Sequence, residues 1–438
     1  MSAPRILIVG GGYVGMYTAL RLQKRLRRGE AHVVVVDPRS YMTYQPFLPE
    51  AAGGSLEPRH VVVPLRRLLR RCEVLTGRVE SIDMAQQKAR VRPHEGAPYS
   101  VPFDHVVVAP GSVSRTLPIP GLAENGTGFK WVEEAIYLRN HVIDQLDIAE
   151  STGDAEAIRR ALTFVFVGAG YAGVEAFAEL EDMARDACRY YESVSPEDMR
   201  WVLVEATGRI LPEVGEDMGR YTLEQLRRRG MDVRLETRLE SAVDGVVRLS
   251  DGTELPTNTL VWTAGVKAHP VLQETGLPLD SRGNLKATAH LQVDGVPNAW
   301  TAGDCAAVPD LTKAPGAFCG PSAQHAVRQA RRLGDNLVAT LRGEPTRPYK
   351  HRYAGSVASL GLHKGVAQVY GVKLRGWPAW FMHRTYHMSR VPTINRKVRV
   401  VADWSLGLFF RREIVNLGSL AQPREQFARV AAGPREPR

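Results

Sequence analysis

The 438-residue sequence predicts an α/β fold of two β-α-β units, one nested inside the other, followed by a C-terminal segment of different character. Three observations carry that expectation. Residues 5–9 (RILIV) and 162–167 (LTFVFV) are short apolar runs ended by glycines, as buried parallel strands are. Each is followed by G-x-G-x-x-G, a stretch of helical spacing, and a second apolar run that closes on an acid, Asp37 or Glu205. After about residue 350 the composition shifts to Trp, Phe and Tyr mixed with Arg and Lys.

Taken in order, residues 14–28 read as a helix with a basic end and 32–36 as the second strand. Residues 73–92 alternate in the manner of antiparallel strands, and 103–112 (FDHVVVAPGS) form a buried strand running into a glycine turn. The Pro- and Gly-rich stretch around 113–135 marks a crossover between domains, and 133–150 reads as a helix. The second unit runs from 162 through 201–205, with short strands over 230–263. Residues 297–304 are a turn, a short strand and a glycine-acid pair, and 321–341 form a helix with Pro321 at its start. The last residues, AAGPREPR, have the composition of a frayed end. The expected division is 1–120 with 290–345, then 121–289, then 346–438.

With 44% hydrophobic and 24% charged residues, whole-chain disorder is excluded. The net charge of +10 favours anionic partners: nucleotides, nucleic acid or an anionic membrane surface. Four scattered cysteines (Cys72, Cys188, Cys305, Cys319) make no C-x-x-C, so neither a disulfide framework nor a metal knuckle is expected, and a reducing compartment fits. The N-terminus lacks a signal-peptide layout, and no apolar run is long enough to span a membrane.

In the first fingerprint Gly10, Gly12 and Gly15 turn the chain, admit a pyrophosphate and let helix and strand pack, while Asp37 sits where an acid accepts hydrogen bonds from an adenosine ribose. Gly168, Gly170, Gly173 and Glu205 repeat the pattern, which makes both units Rossmann-like dinucleotide-binding domains. Glu205 would repel a 2′-phosphate and favours NADH over NADPH, although Arg209 is close enough in sequence to oppose this. Two dinucleotides that must meet suggest FAD in the N-terminal unit and NADH in the nested one. Glu175 follows Gly173 where the first fingerprint has Tyr17. An acid near a helix start gains about 0.3–1 kcal/mol from the dipole, the simplest account of it.

From these residues the chain resembles the two-dinucleotide-binding-domain flavoproteins. AGDC (302–305) is similar to their second FAD motif, in which an acid such as Asp304, presented by Gly303, bonds the ribitol chain. FDHVVVAPGS resembles their central motif, with Ala109 and Gly111 in place and Pro110 where a Thr is usual. Within them it resembles the type II NADH dehydrogenases, single-chain NADH:quinone oxidoreductases. AQHAVRQ (323–329) matches their quinone-site motif, Lys364 in GLHKGVAQVYG matches a lysine near flavin and quinone, and 376–404 resembles their membrane-anchoring region. The resemblance implies FAD contacts at Val79, Ala109, Ala323 and Gln324, NADH contacts at Gly265 and Glu175, and catalytic roles for Glu175, Gln324, Gln329 and Lys364. In that setting Glu175 contacts the nicotinamide end. It also implies a membrane quinone as acceptor, a homodimer, and a peripheral place on the cytoplasmic side of the cell membrane. No proton pumping is expected.

By residue chemistry alone, Gln324 and Gln329 are five apart on one helix and offer amides to a quinone carbonyl, Arg328 shares the face of Gln324, and His325 is not a catalytic candidate by itself. Residues 373–412 hold nine Lys or Arg against one acid, Asp403, among interleaved aromatics. That pattern suits a helix in the headgroup layer of an anionic membrane, ahead of a dimer interface; nucleic acid ranks last for want of a recognition module. The tail departs from the resemblance, for His383, Arg384, His387 and Arg390 interrupt its apolar run. The alternatives are a soluble NAD(P)H-dependent reductase serving a small redox protein, a sulfide:quinone oxidoreductase using Cys305 and Cys319, and a nucleotide-sensing protein of the same fold.

Overall fold

The computed structural model describes residues 3–351 and 355–416. They form two compact units, each assembled from three pieces of chain. The first unit holds the chain up to Tyr44, Val62–Arg115 and the chain from Gly265 to His351. The second holds Gln45–Val61, Thr116–Ala264 and the described chain from Gly355.

The first unit is built on a six-stranded sheet in the order Gln292–Val293, Val296–Thr301, His105–Val108, Arg5–Val9, His32–Asp37, Glu73–Thr76. All neighbours run parallel except the first pair. Register places Leu7 beside Val34 and Val106, and Val9 beside Val36 and Val108. Alternate residues share a face, and these six pack in one core with Val79, Ile82, Ala89, Val91 and Val101 of a three-stranded antiparallel sheet (Arg78–Asp83, Lys88–Arg92, Tyr99–Pro102). Each such fully buried side chain contributes about 1.5–3 kcal/mol.

The second unit repeats this plan. Its five-stranded parallel sheet runs Gly126–Gly128, Thr259–Trp262, Thr163–Val167, Arg200–Val204, Asp232–Arg234. Val165 lies beside Val202 and Leu260, and Val167 beside Val204 and Trp262. The same face is covered by Leu239, Ala242, Val247, Leu249 and Leu255 of a three-stranded antiparallel sheet. The internal echo therefore extends beyond the glycines to the antiparallel insert and the strand that returns after it.

Three boundaries differ from the expected ones. Glu73–Thr76 is not an antiparallel strand; it closes the parallel sheet beside His32–Asp37. Residues 265–289 group with the first unit, because Val266–Ala268 pairs with Ser112–Ser114 and because Leu272, Leu277 and Leu285 lie in the first core. The C-terminal segment is part of the second unit: strands Gly355–Ser359, Gly365–Val369 and Val372–Arg375 lead into helices Trp377–Arg390 and Ile394–Leu406. The short helix Leu48–Ala52, fully buried, belongs to this unit although it comes from the N-terminal part of the chain. Among the described residues no helix is long and apolar enough to cross a membrane. The frayed end expected at 431–438 lies outside the described residues.

Candidate active site

The three glycines of the first fingerprint have different reasons to be glycine. Gly10 has φ +100°, and a Cβ there would lie 2.3 Å from the carbonyl oxygen of Ala109. A Cβ on Gly15 would lie 1.7 Å from the carbonyl oxygen of Gly10, so helix Tyr13–Arg25 can reach the strand only with glycine there. Gly12 is different: a Cβ would meet nothing within 4 Å. Gly12 caps the helix without any side-chain cap, and no acid occupies the first turn. A helix start with no side-chain cap and open space beside its cap residue is the arrangement that receives a phosphate. Asp37 accepts from the Gly11 N–H (2.6 Å) through Oδ2 and from the Arg39 N–H (2.7 Å) through Oδ1. Burial raises its pKa against those two bonds, and its remaining lone pairs are available to ribose hydroxyls.

The second fingerprint repeats this. Gly168 has φ +103° and would clash with the Ala264 backbone at 2.7 Å, and a Gly173 Cβ would lie 1.9 Å from the Gly168 carbonyl oxygen. Gly170 again has open space, with only Glu213 Oε1 at 4.0 Å, and again caps its helix, Tyr171–Ala187, without a side chain. Glu205 accepts from the Ala169 N–H (2.8 Å), the counterpart of the bond from Gly11 to Asp37, and from the N–H and hydroxyl of Thr207 (both 2.9 Å). Arg209 donates to the carbonyls of Pro212 and Val214. A cavity of about 540 Å³ opens here, lined by Thr207, Arg209, Ile210, Glu216 and Leu235 among others. Burial raises the pKa of Glu213, and the nearby Glu205 adds to this. Gly265 (φ +92°) and Gly111 (φ +75°) follow the two return strands, each with no neighbour for a Cβ.

The first unit also carries a glycine-acid turn. Gly303 has φ +76°, and its N–H donates to Oε1 of Gln329 at 2.8 Å. Asp304, next in the chain, accepts from the Ser112 hydroxyl at 3.0 Å. Gln329 is only 1% exposed, so it holds the glycine-acid turn from within rather than offering its amide to an acceptor. Its helix, Ala323–Leu341, starts two residues later than expected, with Ser322 as N-cap accepting from the His325 N–H at 3.1 Å. Ala323 is thus the first helical residue. Gln324 is half-buried, with Oε1 3.2 Å from His351 Nε2. Buried His325 has Nδ1 2.9 Å from the Tyr349 hydroxyl, and burial lowers its pKa, a structural role. Val79 is a core residue. Burial pushes the thiols of Cys305 and Cys319 up to about 11, which disfavours their thiolate forms.

Glu175 lies beyond the first turn of its helix, where the dipole has faded. Its Oε1 accepts from the Ser359 N–H (2.9 Å) and pairs with His383 Nε2 (3.2 Å). The Lys364 ammonium lies 3.5 Å from Asp182, on the same helix as Glu175.

Residues 4–330 match the pyridine nucleotide-disulphide oxidoreductases. The chain belongs to that family. This pyridine nucleotide-disulphide oxidoreductase is a flavin enzyme, with FAD as cofactor and NADH as co-substrate. It is similar to the demethylphylloquinone reductase NdbB of Synechocystis, 30% identical over 92% of this chain and 96% of that one. It is 27% identical to the type II NADH:quinone oxidoreductase Ndh of Mycobacterium tuberculosis, over 98% of this chain and 94% of the relative. Its fold matches that of Plasmodium falciparum NDH2 in complex with NADH with a TM-score of 0.87, at 17% identity, covering 94% of this chain and 99% of that one.

Sequence reading of this oxidoreductase missed Glu50, Glu179, Ser359 and His383, which surround Glu175. Glu50 is 1% exposed, pairs with Arg384 (2.9 Å) and accepts from the Trp404 indole N–H (2.8 Å). The missed signal was the placement of charged residues in apolar runs. Glu50 sits in LPEAA and His383–Arg384 interrupt the aromatic tail, and an acid or base there needs a buried partner.

Proposed function

We propose that the chain is an NADH:quinone oxidoreductase, with FAD held by the first unit and NADH by the second. The single observation that carries this is the doubled cradle, in which Gly12 and Gly170 are glycine although no atom of the described residues comes closer than 4.0 Å to a Cβ built there. Both cradles fit a dinucleotide: orphan helix N–H groups for the pyrophosphate, and an anchored acid for the ribose. The Gly303–Asp304 turn supports FAD in the first unit, where a second acid stands ready for a ribitol chain. When bound, FAD accepts a hydride from NADH and passes two electrons to a quinone. The protein's own part is positional. Asp37 and Glu205 orient the two adenosines, Gln329 fixes the Asp304 turn, Gln324 offers an amide to the quinone, Lys364 supplies a positive charge, and Glu175 contacts the nicotinamide end.

The C-terminal segment supports a peripheral place on the cytoplasmic face of the membrane. Trp377 and Phe381, one turn apart, are stacked at 5.3 Å and about half exposed, and Ile394, Val398, Leu408, Phe409 and Phe410 are 60–82% exposed. Exposed Lys373, Arg375, Arg390, Arg399 and Arg411 accompany them. Apolar side chains among cations suit an anionic headgroup layer; the same row is where a second copy would pack in a homodimer. Flotation with anionic and neutral vesicles separates these, and a protein that floats with neither serves a soluble acceptor. The defining assay is steady-state turnover of NADH and NADPH with menaquinone and ubiquinone analogues. A colourless protein, or a flavin that NADH does not bleach, refutes the proposal.

A further inference from the structure

We propose that His383 is a positioning residue for the NADH reaction, holding the carboxylate of Glu175 from the side opposite Ser359. This rests on the reading of Glu175 as the group that meets the nicotinamide end. Helix Trp377–Arg390 turns His383 inward, leaving it 1% exposed. Its Nε2 lies 3.2 Å from Oε1 of Glu175, the oxygen that also accepts from the Ser359 N–H at 2.9 Å. Among the described residues both contacts of Glu175 fall on Oε1, and Oε2 is left for a ligand.

The surrounding charges explain why this partner is a histidine. Glu50 is matched by Arg384 at 2.9 Å and Asp182 by Arg412 at 2.9 Å, both permanent cations. Glu179, one turn beyond Glu175, accepts from the Ser359 hydroxyl at 2.7 Å and lies 3.8 Å from Arg412. Burial raises the pKa of Glu179. His383 is the base left to Glu175, and its other nitrogen lies 4.0 Å from Glu50. Burial by itself lowers the His383 pKa, but Glu175, Glu50 and Glu179 outweigh it and leave it raised. His387, with its ring centroid 4.6 Å away, is driven well below the ordinary value by burial and by His383. The sign follows: a raised imidazole keeps the ion pair beyond the pH at which an ordinary imidazole discharges and loses it as pH rises through the folded-state pKa.

The test uses the flavin-loaded full chain, with stopped-flow reduction by NADH from acidic to alkaline pH in wild type, His383→Gln, Glu175→Gln and the double variant. The expected result is an alkaline fall in the wild-type rate that His383→Gln lacks, with its neutral-pH rate lowered about tenfold, the scale of one close charge pair. The double variant should be no slower than Glu175→Gln alone, since His383 acts through Glu175. An unchanged alkaline limb in His383→Gln, or an equal loss in the Glu175→Gln background, overturns the inference. Wild-type turnover in Glu175→Gln overturns the Glu175 reading itself. Titration of ¹³C-labelled histidine followed by NMR needs no His383 variant for its midpoint: the His383 resonance must titrate above the ordinary imidazole and move down in Glu175→Gln. A midpoint at or below the ordinary value refutes the ion pair.

Discussion

Replacing the glycines of the cradles one at a time separates packing from ligand space. Gly15→Ala places a Cβ 1.7 Å from a carbonyl oxygen, where ordinary contact begins at 3.4 Å, and neither partner is a side chain that can swing away. The helix must retreat from the strand, at about 3 kcal/mol or more, which lowers the melting temperature by roughly 6–12 °C. Gly12→Ala meets nothing, and its φ of −70° suits any residue. It should fold as well as wild type or gain about 0.4–1 kcal/mol. The new methyl occupies the space proposed for the pyrophosphate. Losing two charge-assisted N–H bonds, at about 1.5 kcal/mol or more each, weakens FAD binding by roughly 100-fold. Gly170→Ala, with φ −74° and the same open space, should instead keep its flavin and lose NADH. The assay is flavin absorbance per mole of purified protein, melting by circular dichroism, and the KM for NADH. Full flavin content and normal KM in both Gly12→Ala and Gly170→Ala would refute the reasoning, and loss of flavin in Gly170→Ala alone would reverse the assignment of the cradles.

Glu205→Gln removes a charge that repels a 2′-phosphate by about 1–4 kcal/mol at 4 Å, so NADPH turnover (kcat/KM) should rise about tenfold relative to NADH; an unchanged ratio means that the ribose is read elsewhere. Gln329→Ala strips the half-buried Gly303 N–H of its acceptor, which should destabilise the fold by about 1–3 kcal/mol and loosen flavin without changing the KM for quinone. Glu50→Ala leaves Arg384 buried without its carboxylate, a loss of about 3–5 kcal/mol, and hydrogen exchange should quicken across residues 377–406; unaltered exchange there contradicts the role given to Glu50. Arg342 holds the carboxyl of Glu30 down at about 2. That depressed value stabilises the fold above the ordinary carboxylate range and is lost as pH falls towards 2, so Glu30→Gln should flatten the acid limb of the stability curve, followed by urea unfolding.

Both cradles were legible in the sequence because their signal is local. Strand, glycine turn, helix and closing acid are contiguous or nearly so, and each residue type answers to one backbone demand at a fixed offset. Gly10 and Gly168 take positive φ, and Gly15 and Gly173 face a carbonyl. The insert and return strand of each half were also visible as short apolar runs. Less legible were Gln329 and the helix start. Gln329 read as an acceptor-facing amide until its burial and its bond to Gly303, far back in the chain, became visible. Pro321 signalled a helix start and was two residues early, because the Ser322 hydroxyl supplies the cap.

The sequence by itself determined the duplicated dinucleotide fold and which residues line each cradle, since helix N-termini, glycine conformations and strand patterns are properties of short stretches of chain. Only the tertiary structure decided what Glu175 touches. Its partners, Ser359 and His383, come from distant strands and helices, and Glu50 reaches the same cluster from an N-terminal piece folded into the second unit. Buried charges must be matched in space, and no spacing in the sequence records which carboxylate a distant imidazole will meet.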